Sequence, residues 1–284
     1  MARHFILLAT FAASLCCAET TPEVIEGDGR RAENLFQYGD MVLYSAQNSI
    51  SDSELYRTDG RRGFLIRNVN SGFGNSSSDP RDFTIMNGEA FFAANVTTRT
   101  EIWKTDGTFG GTRKVIDSGL NSVNYPDENK IVFKGELYYR GRHPNNDDNR
   151  TELLKTTGDP GNRSLVKDIS QGTGSSIPEQ FVVFNDELFF VADDGTSGRE
   201  LWTTDGNSVH EVRDIAAGAS SSLPRNLSAI GSMLYFTAQG ANGFELYKSD
   251  GTATGTVEIR DIHRGTTGSN PTQLTEFGQH IYFV

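Results

Sequence analysis

Gly198-Arg199-Glu200-Leu201-Trp202-Thr203-Thr204-Asp205-Gly206 decides the fold, because the chain keeps returning to it. Copies stand at Ser53-Glu54-Leu55-Tyr56-Arg57-Thr58-Asp59-Gly60, Thr100-Glu101-Ile102-Trp103-Lys104-Thr105-Asp106-Gly107 and Phe244-Glu245-Leu246-Tyr247-Lys248-Ser249-Asp250-Gly251. A worn copy is Thr151-Glu152-Leu153-Leu154-Lys155-Thr156-Thr157-Gly158. The five glutamates are 47, 51, 48 and 45 residues apart. A period of that length belongs to an array of supersecondary units that bury their apolar faces against one another.

Working outward from Glu200, the unit reads as four strands. Phe181-Val182-Val183-Phe184 is followed by the turn signal Asn185-Asp186, and Glu187 to Ala192 forms an aromatic, β-branched run. After the loop Asp193 to Gly198 comes the Glu-Leu-Trp strand, then Asp205-Gly206, read as a tight turn because Gly accepts φ > 0, then Val209 to Ile215. Second strands are apolar on both faces (Phe91-Phe92, Leu188-Phe189-Phe190), whereas fourth strands alternate (Val257 and Ile259 against Glu258 and Arg260). No helical periodicity occurs after residue 18. Antiparallel four-stranded units graded from buried to half-wet predict an all-β fold, a β-propeller. A linear β-solenoid, with shorter repeats, is the alternative. Five complete blades are expected over about 31–70, 81–118, 129–169, 180–215 and 226–262, with a partial sixth over 273–284. Val24-Ile25 resembles a fourth strand, and the sixth unit stops after its second strand at Val284, so the sequence reads as shortened at its C-terminus.

These residues are similar to the ELWxxDGT-repeat family. Glu101 to Thr108 with Gly111-Thr112, and Glu245 to Thr252 with Gly255-Thr256, match its unit, and the resemblance covers residues 30 to 284. Departures are Thr157 in place of Asp, Leu154 in place of an aromatic, and loss of the Gly-Thr pair in the first, third and fourth copies. The resemblance implies a propeller-like repeat of secreted or surface proteins. It implies no catalytic residue set.

Residues 1–18 read as a secretory signal peptide: Arg3 and His4, an apolar run from Phe5 to Leu15, then Cys16-Cys17-Ala18. Leu15 argues against Cys16 as a lipid-anchored cysteine. Cleavage after Ala18 leaves residues 19–284 as one repeat domain with no cysteine, hence no disulfide and no thiolate metal site. No later segment is apolar for long enough to span a membrane. A net charge of −11 excludes nucleic acid as the main partner.

The repeated Glu54, Glu101, Glu152, Glu200 and Glu245 are read as scaffold, accepting backbone N–H groups once per blade, in preference to paired catalytic carboxylates. Trp103 and Trp202, with Tyr56 and Tyr247, are read as packing between blades, and Asp59, Asp106, Asp205 and Asp250 as turn residues. A second series, Asn68, Asp117, Asp168, Asp214 and Asp261, is read as Asx turns ending the fourth strands in preference to a cation site. No zinc pattern, nucleophile elbow or P-loop is present, so no catalytic residue and no metal ligand is assigned. No cofactor is expected. Calcium is weighed only at Asn145, Asp147, Asn149 and Glu152, a loop without the central Gly and the terminal Glu such sites need.

Topology puts the second-to-third-strand loops and the blade-to-blade bridges on one face, opposite the turns. That face carries the candidate ligand-contacting residues Asp52, Arg99, Arg142, His143, Asp147, Asp148, Asp193, Asp194 and Arg199. The expectation is a secreted, non-enzymatic module binding a protein or glycan there. The alternatives are a polysaccharide-active hydrolase or lyase using loop carboxylates such as Asp147 and Asp193, and a purely structural array module. Asn75, Asn95, Asn149, Asn162 and Asn226 open glycosylation sequons for a eukaryotic host.

Overall fold

A computed structural model describes residues 6–7, 24–25, 32–47, 52–70, 76–96, 99–121, 130–143, 150–278 and 280–284. Most of the expected signal peptide lies outside them. Every regular element described is a strand, as the periodicity predicted. The chain divides into two compact units, residues 1–127 and 128–284.

In the first unit, β1 (Ile6–Leu7) pairs antiparallel with β2 (Val24–Ile25). Two four-stranded antiparallel sheets follow. The first blade is β3 (Ala32–Tyr38), β4 (Met41–Gln47), β5 (Ser53–Thr58) and β6 (Gly63–Arg67); the second is β7 (Arg81–Met86), β8 (Glu89–Val96), β9 (Arg99–Thr105) and β10 (Arg113–Asn121). The second unit holds three more. They are β11 (Lys130–Phe133), β12 (Glu136–Arg142), β13 (Thr151–Thr156) and β14 (Ser164–Lys167); then β15 (Glu179–Phe184), β16 (Glu187–Asp193), β17 (Arg199–Thr204) and β18 (Val209–Arg213); then β19 (Arg225–Ile230), β20 (Met233–Gly240), β21 (Gly243–Ser249) and β22 (Val257–Arg260). β23 (Thr275–Phe277) and β24 (His280–Tyr282) form a two-stranded sheet. Within each blade the strands pair in chain order, so every connection is a hairpin.

First and second strands meet in two-residue turns with positive φ, such as Asn87 and Gly88 or Asn185 and Asp186, whose twist matches that of the flanking strands. The third-to-fourth connection differs from the tight turn expected. It occupies four residues, 59–62 and 205–208, in the first and fourth blades, and seven, 106–112 and 250–256, in the second and fifth. The aspartate is the reason. Asp205 Oδ1 accepts the N–H groups of Asn207 and Ser208 at 2.8 and 2.7 Å, an Asx turn that needs more chain than a two-residue hairpin.

Within each unit, core layers form between successive blades. Leu43, Leu55, Ile66 and Val69 of the first blade pack with Ala90, Phe92, Ala94 and Trp103 of the second. Tyr138, Leu153 and Ile169 pack with Leu188, Phe190 and Trp202, and Phe184, Phe189, Leu201 and Val212 with Leu234, Phe236 and Tyr247. Each fully buried ring contributes about 2–3 kcal/mol over its exposed state. The fourth blade shows why a second strand is apolar on both faces: Phe190 packs in the layer with the third blade and Phe189 in the layer with the fifth. Trp103, Trp202 and Tyr247 lie in these layers, whereas Tyr56, expected to pack between blades, stacks on Tyr44 within its own blade.

Candidate functional site

The repeat glutamates are the most deeply placed charged groups of the fold: Glu54, Glu152, Glu200 and Glu245 are fully buried. Each receives two segments of chain. Glu200 accepts the Ile215 N–H (3.1 Å) at the end of its own fourth strand, and the Ser222 N–H (2.8 Å) and hydroxyl from the bridge. Glu152 takes Ile169 N–H at 3.0 Å and Ser176 N–H and Oγ at 3.2 and 2.6 Å. Glu54 takes Val69 N–H and Ser78 Oγ at 2.7 and 2.6 Å, and Glu245 takes Ile262 N–H at 3.3 Å and Ser269 N–H at 3.0 Å. Glu101 instead accepts from Trp103 Nε1 at 3.1 Å and Lys114 Nζ at 3.0 Å; its bridge lies outside the described residues. Burial pushes the Glu152 and Glu200 carboxyls above their usual range, against the lowering effect of those donors. Glu54 is raised to about 7, by burial and by the neighbouring Asp52 charge.

The serines were not singled out from the sequence, although the signal was present. Ser78-Asp79-Pro80, Ser176-Ile177-Pro178, Ser222-Leu223-Pro224 and Ser269-Asn270-Pro271 place a serine two residues before each of these bridge prolines. Each middle residue is in the left-handed region, with φ from 42 to 50°. Ser176, Ser222 and Ser269 aim both N–H and hydroxyl at the carboxylate, whereas Ser78 aims its hydroxyl there and its N–H at the Ser53 carbonyl. The serine carbonyls then accept from the next blade: Asn95 N–H at 2.6 Å on Ser78, Asp193 N–H at 2.9 Å on Ser176, Gln239 N–H at 2.7 Å on Ser222. Glutamate, serine and next blade thus form one chain of hydrogen bonds.

A second contact missed from the sequence crosses the blade boundary at the last residue of the fourth strand. Arg67 lies over the Trp103 ring (5.7 Å) and donates to Thr112 O (2.7 Å); Lys167 lies over Trp202 (5.7 Å) and donates to Val209 O (2.8 Å). Arg213 donates to Thr256 O.

The Asp-Gly loops are closed by their own bonds. Asp106 Oδ1 accepts Thr108 N–H and Oγ1, Thr108 Oγ1 accepts Gly111 N–H, and Thr112 Oγ1 meets Thr105 Oγ1 at 2.7 Å. Asp250, Thr252, Gly255, Thr256 and Ser249 repeat this. Such bonds pull Asp106 and Asp250 below the usual carboxylate range, and the Ser208 and Asn207 N–H groups bring Asp205 to about 2. In the other series, Asp214 and Asp261 each accept a bridge N–H four residues on, from Gly218 at 2.9 Å and Gly265 at 3.4 Å, a wider closure than the Asx turn expected from the sequence. Among the described residues no group of three or more His, Cys, Asp and Glu side chains is placed to hold a metal ion.

Bridge and second-to-third loop share one end of each sheet, since bridge N–H groups bond to third-strand carbonyls (Ser176 to Thr151 O at 3.0 Å, Leu223 to Arg199 O at 3.1 Å). At that end Arg199 meets Glu179 at 2.6 Å and the Ile177 carbonyl at 3.2 Å, and Glu179 lies 3.8 Å from Arg140. Asp193 accepts Gly195 N–H, and Asp194 accepts the Thr196 and Ser197 N–H groups and the Thr196 hydroxyl. Asp52 and His143 are buried, and His143 N–H bonds to Arg150 O (2.9 Å) at the base of the loop that carries Asp147 and Asp148. Arg142 is half-buried at the end of β12. Asp147, Asp148, Asn145, Asn149, Asn75 and the Arg99 side chain lie outside what is described. Of the remaining sequons, Asn95 uses its amide on Arg81, Asp79 and Thr100, Asn226 is half-buried, and Asn162 is exposed.

Successive four-stranded antiparallel blades packed face to face define this protein as one of β-propeller type. No family model matches the chain. No curated protein sequence matches it either. Among solved structures it is similar to a prolyl endopeptidase (TM-score 0.52, 13% identity, covering 94% of this chain and 40% of that one). It is also similar to a chain of a nidogen/laminin complex (TM-score 0.40, 18% identity, 84% of each chain) and to TolB from Acinetobacter baumannii (TM-score 0.41, 12% identity, 82% and 55%). Against the endopeptidase and TolB, the chain thus spans only about half of the matched protein or less. Identities this low speak for the fold alone.

Proposed function

We propose that this protein is an exported, non-enzymatic propeller-type module that binds a protein or carbohydrate ligand through the loop-and-bridge ends of its blades. The observation that carries this reading is how its carboxylates are used. The repeat glutamates receive bridge and strand donors, and Asp193, Asp194, Asp205 and Asp250 hold their own turns. Turn bonds hold Asp194, Asp205 and Asp250 below the usual carboxylate range, away from the pKa a general acid needs, and Glu54, Glu152, Glu200 and Glu245, fully buried, are closed to substrate. What the loop end offers instead is a fixed polar platform around Arg199, Glu179 and Asp193, with non-repeating loops beside it. Export is supported by the basic start, short apolar run and small-residue exit of residues 1–18.

Glycan-array screening followed by calorimetry tests the reading. A saturable ligand whose affinity falls about tenfold or more with Arg199→Glu or Asp193→Lys is expected. Cleavage of that ligand beyond one equivalent would replace a binding role with an enzymatic one.

A further inference from the structure

We propose that the ligand is an acidic saccharide, a uronate-bearing glycan, and that it lies across the starts of β15 and β19 with a carboxylate on Arg225. This deepens the binding role stated above and rests on it, but the side chains it adds, Arg225, Asn226 and Gln180, were not invoked there.

The residue after a bridge proline begins a first strand and meets the residue that precedes the repeat glutamate. In the second blade these are Arg81 and Thr100, and Arg81 donates to the side chains of Asn95 and Thr100 at 3.0 and 3.4 Å. In the fourth they are Glu179 and Arg199, an ion pair at 2.6 Å. In the fifth they are Arg225 and Phe244, so the guanidinium has a ring beneath it, 4.1 Å away, in place of a polar partner. Asn270 Oδ1 takes one of its N–H groups at 2.9 Å, and among the described residues no carboxylate meets this exposed arginine. The following bridge bounds the two sites alike, with Leu223 N–H on Arg199 O at 3.1 Å and Asn270 N–H on Phe244 O at 2.9 Å. Ring and amide together fix the guanidinium plane and leave its other N–H groups without a partner. A fork held in that way pairs bidentately with a carboxylate.

The next position of the first strand is a left-handed bulge in blade after blade: Asn34, Asp82, Gln180, Asn226 and Gln273 have φ from 52 to 60°. The backbone repeats, but the side chains are used differently. Asn34 donates to Ser45 Oγ at 3.0 Å and to the Pro80 carbonyl at 3.2 Å. Gln180 Oε1 accepts the Asn226 N–H at 3.1 Å across the blade boundary, which sets its amide beside the Arg225–Asn226 peptide. The Gln180 amino group and the Asn226 carboxamide bond to none of the described residues. A carboxamide offers a donor and an acceptor side by side, the spacing of two neighbouring hydroxyls on a sugar ring. One fork for a carboxylate with two open carboxamides beside it fits a ligand that carries acid and hydroxyls together. A uronate does so, and an acidic peptide does not.

Calorimetry of the whole protein with tetramers of galacturonate, mannuronate and guluronate, each as the free acid and as the methyl ester, tests the assignment. Saturable binding of at least one free acid is expected. It should weaken about tenfold or more on esterification, with Arg225→Gln, and with Asn226→Gly, which removes the amide and tolerates the left-handed backbone. Arg225 is exposed, so its variant is expected to keep its thermal midpoint, and Arg260→Gln, at an exposed arginine on β22, is expected to keep the affinity. Equal binding of acid and ester, or indifference to Arg225→Gln, overturns the proposal; if that binding still falls with Arg199→Glu, the broader binding role stands. No saturable binding of any tetramer overturns the proposal as well, and so does tetraglutamate bound as tightly as the best uronate. In either case the array screen decides the broader role by itself.

Discussion

A buried carboxylate is costly unless donors surround it, and Glu200 has three. Removing it in Glu200→Ala leaves the N–H groups of Ile215 and Ser222 without acceptors. At about 1–3 kcal/mol for each orphaned group, a loss of about 3 kcal/mol or more is expected, read as a lower urea midpoint at unchanged slope. The pH response follows from Glu54. Its folded-state pKa of about 7 lies above the 4.5 of a free glutamate carboxyl, so between these pH values the folded state binds the proton that the unfolded state has released. Stability from this group is complete below about pH 4.5 and is lost as pH rises to about 7, with a slope of up to about 1.4 kcal/mol per pH unit. Glu152 and Glu200 shift the same way. Denaturation series at pH 4.5 and pH 8 should therefore differ less in Glu54→Gln than in the wild type. An unchanged difference would mean that Glu54 stays ionised throughout.

At the scale of the element, the Asp-Gly loop is a self-contained device. A threonine or serine hydroxyl two residues before the glycine accepts its N–H at 3.0 Å in all five blades (Thr58, Thr105, Thr156, Thr204, Ser249). The Gly-Thr pair folds the longer loops back onto it. A Cβ on Gly111 would stand 2.0 Å from Asp106 Oδ1, while one on Gly110 meets nothing within 4 Å. Gly111→Ala must evict the aspartate from its turn and is expected to cost about 1–2 kcal/mol, against no measurable change for Gly110→Ala. Thermal melts of the two neighbours make the comparison in one background. The first, third and fourth blades, which lack the pair, close differently: with four residues in the first and fourth, and through Asp159 and Asn162 in the third.

At the scale of the whole molecule, stability resides in the layers between blades. Trp202 packs with the third blade under Lys167, so Trp202→Ala is expected to cost about 3–5 kcal/mol and Trp202→Phe considerably less. The same layers set what could be read in advance. The period of 45 to 51 residues, the doubly apolar second strands and the alternating fourth strands determined the blades, because side-chain periodicity and turn chemistry are local. They also marked Glu200 and Trp202 as scaffold, since residues needed once per blade recur once per blade. Tertiary structure alone decided what those residues touch. Ser222 lies 22 residues from Glu200 and Ser176 24 from Glu152, and Lys167 reaches Val209 across 42 residues. No periodicity encodes a hydrogen bond across such separations, because the chain must first fold back on itself to bring donor and acceptor together.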